Sequence, residues 1–296
     1  MQDEVTSRIA VALNLELIAA EASRPTELPH ALDYILRGRA VSNRPPSRDL
    51  RNQAISLFER ALELDPRSVE AQTRLALALT SRVTGEMIDP ATSDVTRAEE
   101  LIEQALAASP RVPLAHFAKG MVLRVRGRPE EAMLEFETVL AVDRNAIDAL
   151  FQLGWCKAMT GSIDEVIPLA AEGIRLSPRD PFIANFYWRI GWVHLLQSHE
   201  DDAVLWLEKA RSANPRLSAI RAMLASAYAL KSEPERAAAE LAEARRLSGD
   251  DRYSSVARLK AAGYAGSHDY WGVPKVRALF EATYFAGLRK AGMPEE

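Results

Sequence analysis

One phrase returns along this chain at near-constant spacing. It reads Ala61-Leu62-Glu63-Leu64-Asp65-Pro66, then Ala105-Leu106-Ala107-Ala108-Ser109-Pro110, then Val139-Leu140-Ala141-Val142-Asp143-Arg144. It reappears as Gly173-Ile174-Arg175-Leu176-Ser177-Pro178 and Ala210-Arg211-Ser212-Ala213-Asn214-Pro215, with a degraded last copy at Ala244-Arg245-Arg246-Leu247-Ser248-Gly249. A repeat of about 34 residues is the length of one helical hairpin. A lone hairpin cannot bury its apolar face, so successive hairpins must stack into a continuous core with one long concave surface. The expected fold class is an all-α, right-handed superhelical solenoid of about six hairpins, with an N-terminal helix and a C-terminal helical cap.

The internal pattern of the repeats carries a resemblance. First helices show a large residue, then Leu-Gly or its equivalent, as in Gly120 and Leu123, Leu150, Leu153 and Gly154, Tyr187, Ile190 and Gly191, and Leu224, Ala225 and Tyr228. Second helices show Ala-x3-large-x2-small, as in Ala132, Phe136 and Val139, or Ala203, Leu207 and Ala210. The pattern resembles the tetratricopeptide repeat over units at about 31–66, 69–110, 113–146, 147–180, 184–215 and 218–248. Residues 1–27 form the N-terminal helix, and 249–296 the capping helices and tail. Units one and two are stretched. Asn43 to Ser47 lengthens the first, and a turn from Val83 to Asp94 lengthens the second. Pro129 and Pro234 open second helices, where proline is tolerated. Pro168 falls inside one and is expected to kink it.

The flanks are similar to a narrower group. Residues 2–22 (QDEVTSRIAVALNLELIAAEA) carry an apolar stripe at Val5, Ile9, Leu13 and Leu17. With ALDYILRGRA after them and TYFAGLRKAGMPEE at the end, they resemble the C-terminal repeat region of bacterial class III adenylate/guanylate cyclase proteins with a TolB-like middle domain. That resemblance implies a regulatory part of a cyclase-like signalling protein. The alternatives are the end of an intact cyclase gene product and a stand-alone adaptor. No catalytic residue carries over, because the cyclase carboxylates lie upstream of Met1 in that group. No catalytic, cofactor-binding or metal residue is expected in this chain, and the reading is not an enzyme.

Composition agrees with a globular interaction protein. The 296 residues are 48% hydrophobic and 26% charged, with net charge -4. A nucleic-acid partner normally requires a basic domain, so none is expected. The lone Cys156 fits a reducing cytoplasm, and no apolar run reaches membrane-spanning length. His30, His116, His194, His199 and His268 show no ligand spacing. In His199-Glu200-Asp201-Asp202 the acids open a helix, where they complement its dipole.

In the repeats that this chain resembles, the fifth and ninth residues of each first helix line the concave face. Here they are Phe117 and Met121, Phe151 and Trp155, and Trp188 and Trp192. Either they form an apolar groove for a protein or peptide partner, or neighbouring helices bury them as ordinary core. The clamp for chaperone tails uses Lys and Asn at these positions, so capture of a terminal carboxylate is not expected. Arg124, Arg126 and Arg128 at one turn offer a patch for an acidic partner, or simply a solvated turn. Val276, Leu279, Phe280, Thr283, Tyr284 and Leu288 form a helical stripe. It either docks within the chain's own groove or caps the sixth hairpin.

Overall fold

The computed structural model describes residues 17–18, 20, 30–44, 47–86, 93–180, 182–262 and 272–296. Among them there is no strand. The helices are α1 (Ala31–Ser42), α2 (Arg48–Leu64), α3 (Val69–Glu86), α4 (Ser93–Ala108), α5 (Pro113–Val125), α6 (Pro129–Val142) and α7 (Ile147–Met159). They continue with α8 (Val166–Leu176), α9 (Ile183–Leu196), α10 (Glu200–Ala213), α11 (Ser218–Leu230), α12 (Pro234–Ser248) and α13 (Val256–Ala262). The C-terminal helix follows as three consecutive spans, α14 (Pro274–Phe280), a π-helical stretch (Glu281–Phe285) and α15 (Ala286–Lys290). Two compact units divide the chain near Ala149 and Leu150.

The recurring phrase has a local cause. Its polar fifth residue caps the turn between hairpins through its own side chain. Asp65, Asp143 and Asn214 each accept with Oδ1 from the backbone N–H two residues on, at 3.2, 2.9 and 3.3 Å. This Asx geometry replaces the next helical hydrogen bond and ends the helix. The turn inside the hairpin repeats too. Gly127, Gly161, Ser198 and Ser232 hold positive φ at that point in units three to six. The next N–H reaches back to the carbonyl five residues earlier, as Arg128 does to Leu123 at 2.9 Å and Glu233 to Tyr228 at 2.8 Å.

Packing within hairpins depends on small residues facing large ones. Phe136 lies against Gly120 so closely that a Cβ there would stand 2.6 Å from the ring, and one on Gly191 would stand 2.7 Å from Leu207 Cγ. Phe58 presses on Gly38 in the same way. Gly154 is different, because its nearest neighbour would be Leu169 at an ordinary 3.8 Å. In the first unit Phe58, Leu75, Leu79, Val83, Ile102 and Val122 belong to one buried cluster. In the second, Ile190, Leu195, Leu207, Ile220 and Leu224 are all nearly or fully buried.

Two expectations change. Val83 does not open a loop: α3 continues to Glu86 and buries Val83 completely. The stretch in unit two is therefore partly extra helix, and its remainder, 87–92, lies outside the described residues. Pro168 does not kink a helix interior. A 3-10 turn at Ile163–Glu165 precedes α8, so Pro168 is the third residue of that helix. There the missing N–H would have had no helical partner. Near the N-terminus, Val5, Ile9 and Leu13 of the expected stripe lie outside the described residues. Leu17 is exposed and Ile18 is buried. Apart from Ala20, the rest of 2–22 lies outside the described residues, as does the aromatic-rich segment of the tail that holds Tyr264, Tyr270 and Trp271.

Candidate functional site

The site is built on α9, whose run Phe186-Tyr187-Trp188-Arg189-Ile190-Gly191-Trp192 brings four aromatic residues and an arginine together within two turns. Trp192 is 1% exposed. Trp155 from α7 stacks on it at 5.7 Å between ring centroids, and Trp188 lies parallel at 6.4 Å. Phe151, one turn before Trp155, meets Phe186 edge-on at 5.3 Å. The Trp188 indole N–H points to Met223 Sδ of α11 at 3.1 Å.

Arg189 sits within this cluster, 2% exposed. Its guanidinium carbon lies 4.2 Å from the Phe151 centroid, 4.9 Å from Trp155, 5.6 Å from Trp192 and 5.9 Å from Trp188. The negative faces of the rings stabilise a cation there, more strongly as water is removed. The sequence pattern missed Arg189, because a charged residue in a repeat helix normally reads as a solvated position. The surrounding aromatic run was the available signal.

The C-terminal helix lies on the same face. Val273 N–H donates to the Met159 carbonyl at 2.9 Å, satisfying an orphan acceptor at the end of α7. Phe280 meets Trp192 at 5.6 Å. Ser226 Oγ on α11 donates to the Tyr284 carbonyl at 2.9 Å. Beyond the helix, Pro294 and Glu295 carbonyls accept from Val256 and Ala257 N–H, both at 2.9 Å, capping α13 with the chain's own tail. On the stripe, Val276, Phe280, Thr283, Tyr284 and Leu288 are buried and Leu279 is half-buried. Phe285 is buried beside them, which 3.6-residue spacing does not predict. The wider π-helical turn at Glu281–Phe285 brings Thr283, Tyr284 and Phe285 inward together. At the outer edge Glu281 takes Lys260 and Arg289, each at 2.7 Å. Its carboxyl titrates below the ordinary range: burial opposes ionisation, but the two cations prevail.

Of the six sequence-chosen groove residues, Phe151, Trp155, Trp188 and Trp192 belong to the second unit and come together. Trp155 and Trp192 are buried, and Phe151 and Trp188 half-buried. Phe117 and Met121 belong to the first unit, both half-buried, with Phe117 tilted on Phe136 at 5.7 Å. The three turn arginines do not form a single patch of free charge. Arg126 grips Glu99 through Nε at 2.9 Å and Nη2 at 2.7 Å, and Arg128 grips Glu131 at 2.6 and 2.5 Å. Arg124 is half-buried with its Nε out of reach of any acceptor among the described residues. Cys156 is buried, and His194 lies against His199 at 5.8 Å with its pKa lowered, first by burial.

A family model described as tetratricopeptide repeat matches residues 91–149. No curated protein matches the chain by sequence. Solved structures are similar in fold. One is pilF of Pseudomonas aeruginosa, 18% identical, with TM-score 0.55, covering 75% of this chain and 94% of that one. Another is a tetratricopeptide repeat protein from Parabacteroides merdae, 17% identical, with TM-score 0.55 over 88% of this chain and 98% of that one. A third is human IFIT1, 16% identical, with TM-score 0.64 over 78% of this chain and 54% of that one. At such identities the likeness extends to the fold alone.

Proposed function

We propose that this tetratricopeptide-repeat chain is a non-catalytic interaction scaffold whose first-helix faces receive a protein or peptide partner. Its finer role in this proposal is the regulatory region of a bacterial cyclase-like signalling protein acting in the cytoplasm. The fold supports the interaction role, and the resemblance of the two flanks supports the cyclase context. No described helix is long and apolar enough to cross a membrane.

The observation that carries the reading is the aromatic surface on α7 and α9. Large rings at successive first-helix positions, half-buried at Phe151 and Trp188, surround a buried guanidinium. Hairpin stacking needs only small residues there, as Ala222 and Ser226 at the same positions of α11 demonstrate by their burial. Burying one aromatic side chain contributes roughly 1.5–3 kcal/mol, so two or three anchors suffice for micromolar association after its entropic costs. In this reading the C-terminal helix is the face's resident occupant, and a partner displaces it.

The test starts from partners captured by cross-linking to the full chain. Their affinity is then compared for the wild type, Phe151→Ala, Trp188→Ala and the remote exposed Leu134→Ser. Weaker binding in the first two variants at an unchanged unfolding midpoint supports the reading. Equal affinity across all four removes this face from the function. The cyclase context is tested by the reading frame upstream of Met1, where a class III catalytic domain is expected.

A further inference from the structure

The C-terminal helix crosses α11 at one point of unusually close approach. Gly287 rests on Ser226: a Cβ placed there would overlap Ser226 Oγ and stand 2.6 Å from its carbonyl oxygen and 2.9 Å from its Cα. Ser226 is fully buried, and its hydroxyl is committed to the Tyr284 carbonyl at 2.9 Å. Two backbones therefore meet with only the Ser226 hydroxymethyl group between them. Behind the Ser226 hydroxyl the obstacles are main-chain atoms of α11, which cannot move aside as a flexible side chain would. Seven residues earlier, Phe280 takes the Trp192 face, and Val276 and Leu288 are fully buried at either end.

We propose that this face selects its partner by a glycine at the Ser226 crossing. The occupant it fits is an amphipathic helix of another protein, carrying an aromatic, a second aromatic four residues on and a glycine three residues after that. The resident segment supplies the template as Phe280-x3-Tyr284-x2-Gly287. The inference rests on the reading that partner segments bind this face, and it specifies their chemistry. Aromatic anchors alone would admit many helices. The crossing rejects any with a side chain at the glycine position, which is selection by clash. The Ser226 hydroxyl adds one hydrogen bond that only a backbone brought this close can accept.

The experiment uses the full chain with two fluorescein-labelled probe peptides. Both have an Ala-Glu-Lys helical host bearing the Phe-x3-Tyr-x2-Gly pattern with flanking Val and Leu, and they differ only in Gly or Leu at the crossing. Affinity is measured by anisotropy on the wild type and on Gly287→Leu, and hydrogen exchange follows 274–290. Gly287→Leu should release 274–290 to rapid exchange. The glycine peptide should bind that variant at least tenfold more tightly than the leucine peptide does, and more tightly than it binds the wild type. If Gly287→Leu does not fold, Gly287→Ala applies the same clash more mildly. Excess glycine peptide on the wild type should in any case release 274–290, where the leucine peptide does not.

Equal binding of the two peptides overturns glycine selection and leaves helix binding at this face intact. Failure of both to bind a chain whose 274–290 is released overturns the selection and the binding reading together. Persistent protection of 274–290 in Gly287→Leu shows that the crossing tolerates a side chain, and overturns the proposal. A concentration-dependent wild-type dimer that Gly287→Leu abolishes assigns the face to a second copy and overturns the choice of partner.

Discussion

Hairpins three and five present the same repeat positions with opposite outcomes. In the first unit α5 offers Phe117 and Met121, both half-buried, with Gly120 between them and seated on Phe136. In the second unit α9 offers Trp188 and Trp192 around Gly191, which is seated on Leu207. The glycines do the same work. The ninth-position residues do not, for Trp192 is 1% exposed and meets Phe280. The repeat thus dictates how a hairpin closes on itself, while the fate of its outward rings depends on what lies over them. An arginine is accepted among these rings because four of them surround it.

The largest expected contrast is between Trp192→Ala and Met121→Ala. Truncating a fully buried tryptophan costs about 3–5 kcal/mol through lost transfer energy and the cavity left behind. Met121, half-buried, should lose less than about half of that, since the site can collapse or fill with water. Urea unfolding of both variants measures the difference, and equal losses would break the comparison.

The glycines sharpen it at a middle scale. Gly120→Ala should destabilise by about 1–3 kcal/mol, because Phe136 must leave its place. Gly154→Ala, at the same repeat position in α7, meets only ordinary contacts. It should be neutral or stabilise by up to about 1 kcal/mol, since alanine favours helix over glycine. Thermal unfolding of the two variants should therefore shift in different directions. A comparable loss in both would erase the distinction between the tight and the open glycine.

Ser226→Ala should have the smallest effect. It removes one buried hydroxyl donor to the Tyr284 carbonyl, at a cost of about 1 kcal/mol. The loss should be confined to the C-terminal helix. Faster hydrogen exchange across 274–290, with protection in α5 and α6 unchanged, is the expected signature. Unchanged exchange at 274–290 would show that the hydroxyl contributes nothing to seating the helix.

The pattern of small and large residues was legible in sequence because hairpin packing is local. Gly120 and Phe136, or Gly191 and Leu207, are about one helix apart, so their pairing repeats with the period. The candidate site was only half legible. Phe151, Trp155, Trp188 and Trp192 emerge from spacing, but Arg189 does not, because its burial depends on rings from two hairpins. Phe285 was missed because the π-helical turn breaks the spacing on which the stripe was read. Gly287 and Ser226 carry no periodic signal at all, being partners 61 positions apart by their residue numbers.

By itself the sequence determined the all-α class, the helical hairpins and the turns between them, because Asx caps, left-handed turn residues and glycine–aromatic pairs act within one repeat length. The tertiary structure alone decided which aromatic residues are covered, that a guanidinium lies among them, and where one helix comes down on another's backbone. Those outcomes depend on rings brought together from two hairpins and on the C-terminal helix lying on a face formed by residues far earlier in the chain. No local propensity or period encodes a contact of that range; only the excluded volume and hydrogen bonding of the packed chain do.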